Sequence, residues 1–130
     1  MVAAMPTSPP GRALLLVRFV LGTSSWFAPQ LVMRAMGLDP DRNPQAAYWA
    51  RLFAVRDVVL GIGLLASRGD ARRLWWRCGI VCDLGDAAAG YVSVHRGELW
   101  RGRRLRTGLL VGAGVVGAGL GAGALGSGDV

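Results

Sequence analysis

Six charged residues stand more than one helical turn inside apolar stretches of this chain: Arg18, Arg51, Arg56, Asp57, Asp83 and Asp86. An ionised side chain at the middle of a bilayer costs about 2.5–3.5 kcal/mol on insertion scales, so each is expected to face protein and find a partner. Three are cationic and three anionic, the balance that a closed internal network needs. Asp83 and Asp86 are spaced i, i+3 and share a helix face, which Cys78, Gly79, Cys82 and Gly90 extend. In the stretch ARLFAVRDVVLGIG, residues 50–63, Asp57 shares its face with Gly61. Arg51 and Arg56 point elsewhere, with side chains long enough to reach a common polar centre or the nearer interface. Two chemistries fit the set: ion pairs that fix helix register, or a path for protons or a polar substrate.

No catalytic group can be assembled around it. His95 is the sole histidine and has no Ser or Cys nucleophile near it in sequence. Cys78 and Cys82 lie four apart with no ligand-spaced histidine, so they read as small packing residues and not as a metal or redox pair. No metal and no cofactor is expected, and the balance leans away from an enzyme, with a membrane enzyme left as a third reading because no nucleophile–base pair or metal set can be named.

The elements that must carry these residues are four apolar runs, at about 13–33, 46–67, 74–94 and 107–125. Residues 1–12 read as a disordered lead-in and 126–130 as a flexible tail. Pro29 falls within the first run, where it either kinks the helix or opens a short interfacial one ending at Gly37. LDPDRNPQ and SRGDARR are polar connections, and HRGELWRGRRLR is a basic one. Trp49, Trp75, Trp76 and Trp100 fall at the ends of runs, where indole rings sit among headgroups; Trp26 joins them if the first helix ends near Pro29. The expected fold is all-α: a four-helix transmembrane bundle, antiparallel up-down, with short loops. At 130 residues, 52% hydrophobic and a mean hydropathy of +0.38, it is one integral membrane domain.

The stretch GAGVVGAG, residues 112–119, imitates the glycine pattern of a dinucleotide-binding turn. That motif needs a second strand and an acidic residue about 20 positions on, which the sequence to Val130 does not provide. Helix packing explains it better: Gly112, Ala113, Gly114, Gly117, Ala118, Gly121 and Ala122 form ridges of small residues that let backbones approach closely, within the bundle or against another subunit.

A net charge of +7 and a pI near 11.2 raise nucleic acid as a partner. The basic residues sit inside or beside apolar runs, however, so anionic lipid is the expected partner and nucleic acid is not. Arg96, Arg101, Arg103, Arg104 and Arg106 are the headgroup candidates. Seven arginines on the face of the 38–45 and 95–106 loops against four on the other favour those loops on the cytoplasmic side of the inner membrane, with the termini outside.

Several stretches together resemble small actinobacterial four-helix membrane proteins of the DoxX-like type: Arg18 and Gly22, then APQLVMRAMGL, then ARLFAVRDVVLGIG, and the pair Asp83 and Asp86. The resemblance covers most of residues 13–125. It implies an accessory role beside a membrane redox complex; the sequence itself offers no haem, flavin or iron–sulfur ligand set. The expected function is a non-enzymatic accessory or scaffold subunit that meets another membrane subunit or a second copy of itself. The alternative is a proton-coupled or small-molecule carrier that uses the buried Arg and Asp residues.

Overall fold

The computed structural model describes residues 5–36, 38–98 and 104–128. These form an all-α helical bundle of five helices, with no strand among the described residues: α1 Pro9–Phe27, α2 Pro29–Ala35, α3 Ala46–Ala66, α4 Gly69–His95 and α5 Arg104–Gly126.

Local chemistry fixes the ends. Ser8 caps α1, its Oγ accepting from Gly11 N–H at 3.1 Å, and Pro9 and Pro10 occupy first-turn positions where no N–H is needed. The expected disordered lead-in is thus corrected over 5–12: Pro6 and Ser8 are buried, and Arg12 donates to the carbonyls of Pro6 and Thr7. Pro29 lacks an N–H and drives Ala28 out of helical geometry. Of the two outcomes expected at Pro29 the structure has the second: the run over 13–33 divides into a long helix and a short one that Pro29 opens, bent by 119°. Only Ser67 and Arg68 separate α3 from α4, so most of SRGDARR is the first turn of a helix and not a loop. Arg72 is buried there, its Nε donating to the Ser67 carbonyl at 2.8 Å. At the other end of α4, Gly97 takes φ +70°, its N–H bonding Val94 O and that of Glu98 bonding Ser93 O, a glycine stop that satisfies the last carbonyls.

α3 packs chiefly on α1 and α4 chiefly on α5, with α1–α5 and α3–α4 contacts closing a ring. Small residues set the spacing. A Cβ at Gly22 would stand 2.8 Å from Val58 Cγ2 and 3.1 Å from Ala54 O, so α1 and α3 touch almost backbone to backbone. Gly22 meets Ala54 while Gly61 meets Phe19, which makes α1 and α3 antiparallel; Gly114 against Ala87 and Gly121 against Ile80 do the same for α4 and α5.

The apolar core lies toward one end of the ring: Leu14, Leu15, Leu64, Trp76 and Ala124, with Phe19, Trp75 and Leu120 packed against it. This corrects the placing of Trp76 in an interfacial belt, since it is 1% exposed. Trp75 is half-buried with its ring on Gly63, whereas Trp26 and Trp49 are exposed and Trp100 lies outside the described residues. Among the described residues no single helix is long and apolar enough to cross a membrane; the bent pair α1 and α2 reaches that standard together.

Candidate functional site

Halfway along α1, the pattern of burial reverses. Arg18 is 2% exposed, and around it close Asp57 of α3 and Asp83 of α4, both buried. Arg18 Nη1 donates to Asp57 Oδ1 at 3.0 Å and Nη2 to Asp83 Oδ2 at 2.8 Å. Arg56, the neighbour of Asp57 on α3, grips Asp86 with both Nη atoms, at 2.8 and 2.6 Å, and its Nη2 lies 3.5 Å from Asp57 Oδ1. The result is one alternating chain, Asp83–Arg18–Asp57–Arg56–Asp86, that leaves α4, crosses α1 and α3, and returns to α4 one helical turn away.

Each placement has a local cause. Asp57 shares a buried stripe with Ala54, Leu60, Gly61 and Leu64 on α3; Asp83 shares one with Trp76, Gly79 and Ala87 on α4. Glycine makes the room. A Cβ at Gly79 would meet Arg18 Nη2 at 2.7 Å, and one at Gly117 of α5 would meet Asp83 Oδ2 at 2.8 Å. The fork of a guanidinium suits this centre, because it presents fixed donors to two carboxylates at once.

The six residues singled out in the sequence divide here. Arg18, Arg56, Asp57, Asp83 and Asp86 come together; Arg51 is exposed on α3 and takes no part in the described ion pairs. Arg51 lies about 9 Å along the axis from Asp57, at 1.5 Å per residue, and on a different face. Its removal changes the arithmetic from balance to two cations against three anions, so the fully ionised cluster carries one negative charge. The Arg56–Asp86 pair joins α3 to α4 directly, while the central cation, Arg18, comes from α1. The ion pairs outside this cluster, Arg34–Asp41, Arg42–Asp39 and Arg73–Asp70, are solvent-facing and contribute little.

The small-residue ridge on α5 also divides. Gly114, Gly117, Ala118 and Gly121 are buried, with Gly114 against the backbone of Asp83. Ala113 and Ala122 are exposed, and a side chain at Gly112 would meet open space. Among the headgroup arginines, Arg96 is the exposed cap of α4, Arg104 and Arg106 belong to the first turns of α5, and Arg101 and Arg103 lie outside the described residues. Cys78 is exposed and Cys82 half-buried, both as free thiols. No group of three or more His, Cys, Asp or Glu side chains is placed to hold a metal ion among the described residues.

Beside the ion chain lies a feature that the sequence did not announce, a cavity of about 230 Å³ between α1, α3, α4 and α5. Arg18, Asp57, Asp83 and Asp86 form one part of its lining; Leu14, Val17, Leu21, Phe53, Val116 and Leu120 are among the apolar remainder. Arg56 lies 4.4 Å from the centre of the Phe53 ring. Its volume exceeds the roughly 150 Å³ that accommodates benzene in an engineered protein cavity. No sequence signal could have found it, because a void is defined by four helices at once. No family model, curated protein or solved structure matches this chain.

Proposed function

We propose that this chain is a small integral membrane protein, a four-helix bundle in lipid that acts as a non-enzymatic accessory or scaffold subunit of a membrane assembly. The observation that carries this reading is the inversion of polarity. Arg18, Asp57 and Asp83 are inside, while Leu16, Val20, Phe27, Leu31, Ile62, Val81, Leu84, Val115 and Val116 are outside, Phe27 at 80% exposure and Val81 at 69%. Surface apolar residues in such number, on every long helix, suit a hydrocarbon solvent or a partner far better than water. A hydropathy window charges each ion against its helix as though it faced lipid; here the central ions face one another. The resemblance to DoxX-like membrane proteins points the same way. Anionic headgroups around the basic 95–106 segment fit the scheme.

Alkaline carbonate extraction of membranes should leave the chain in the pellet, and release to the supernatant would end the membrane reading. Purification in mild detergent followed by mass spectrometry should recover a second polypeptide in fixed ratio. A homogeneous homo-oligomer would instead argue against the accessory role. A carrier is the second reading, favoured by the cavity that borders the uncompensated charge.

A further inference from the structure

We propose that the cavity between α1, α3, α4 and α5 is a binding site for a small organic cation, an ammonium group on an apolar body of about six to ten heavy atoms. Three features specify that ligand. All three carboxylates of the cluster line the cavity, but only two guanidinium groups oppose them, so one positive charge is wanting. An uncompensated ion in a low-dielectric interior is costly, and a cation seated against these carboxylates removes that cost. The rest of the wall is hydrocarbon, from Leu14, Val17, Leu21, Val116 and Leu120, with the Phe53 ring beside them. Such a wall gains from an apolar body and discriminates against a bare, strongly hydrated inorganic ion. An anion is opposed by the net charge, and a neutral molecule leaves it uncorrected.

A bound ammonium group supplies the missing positive charge. The groups that face it are Arg18 from α1, Arg56 and Asp57 from α3, and Asp83 and Asp86 from α4, with Cys82 in electrostatic range of Arg56. The remaining lining residues, Met36 just beyond α2 and Ala113, Gly114, Val116, Gly117 and Leu120 of α5, are uncharged. Only one arginine is held by Asp86, which is a third exposed, so this carboxylate tolerates change better than the buried Asp57 or Asp83. The site deepens the carrier reading but does not depend on transport.

The test is calorimetry on the purified full-length chain in detergent, with benzylammonium, benzyl alcohol, benzoate and sodium as probes. Benzylammonium should bind at least tenfold more tightly than benzyl alcohol, and benzoate should not bind. Ala113→Leu, which fills the cavity and alters no charge, should weaken benzylammonium at least tenfold without moving the melting temperature by more than a degree or two. Asp86→Asn should erase the preference for the cation over the alcohol. Equal affinity for cation and alcohol, saturation by sodium alone, or undiminished binding by Ala113→Leu would overturn the assignment. Binding in detergent without uptake into proteoliposomes would uphold the site and remove the carrier reading.

Discussion

Replacing Arg18 with Met is the most direct test of how this bundle is held. Met has nearly the length of the arginine stem and none of its donors, so packing is approximately kept while two charge-assisted bonds disappear. Asp57 retains Arg56 at 3.5 Å, whereas Asp83 keeps no cation within 4 Å among the described residues. Removing one member of a buried ion pair destabilises by about 3–5 kcal/mol, chiefly because its partner remains buried and uncompensated. At about 1.4 kcal/mol per tenfold, that lowers the folded-to-unfolded ratio by two to three orders of magnitude or more. The assay is reversible unfolding in mixed micelles, with Trp76 in the core as the fluorescent probe. A triple variant, Arg18→Met with Asp57→Asn and Asp83→Asn, removes the stranded charges and should recover more than half of the loss. Arg18→Lys should fall between the two, because one ammonium cannot reproduce the fork. A loss below about 1 kcal/mol for Arg18→Met, or a triple variant less stable than the single one, would refute the idea that charge compensation holds these helices in register.

Gly117→Ala places a methyl carbon against the Asp83 carboxylate and should cost about 1–3 kcal/mol, whereas Gly119→Ala meets open space and should be neutral or slightly stabilising; thermal unfolding of the pair compares them. Trp76→Ala should lose about 3–5 kcal/mol by emptying the core, while Trp49→Ala, at an exposed position, should leave unfolding within about 0.5 kcal/mol of the parent. Ser8→Ala removes the cap of α1 and should cost about 1 kcal/mol, with amide exchange rising first at Gly11 and Arg12. In the double-mutant cycle of Asp57→Ala and Arg18→Met the combined loss should be smaller than the sum of the two single losses, and additive losses would argue against coupling.

The sequence alone determined that this chain is helical and where ions had to be hidden. Long apolar runs interrupted by single charges, with glycine and alanine at four-residue spacing, leave a chain few options except helices packed closely around paired ions. It also determined which residues share a face, because helical spacing is a local property: Asp83 with Gly79, and Asp57 with Gly61, lie together in the structure as their intervals require.

Partnership was another matter. Arg51 and Arg18 look equivalent in the sequence, each a cation in an apolar run, yet one is at the surface and the other is the centre of the network. Only the docking of α1 between α3 and α5 separates them, and that docking follows from glycines whose open sides the sequence cannot orient. The same holds for Trp76, indistinguishable in type from its neighbour Trp75 until α1, α3 and α5 close over it. The one-charge deficit and the cavity beside it are likewise products of tertiary structure: each is a relation among four helices, and spacing along one of them carries no information about the others.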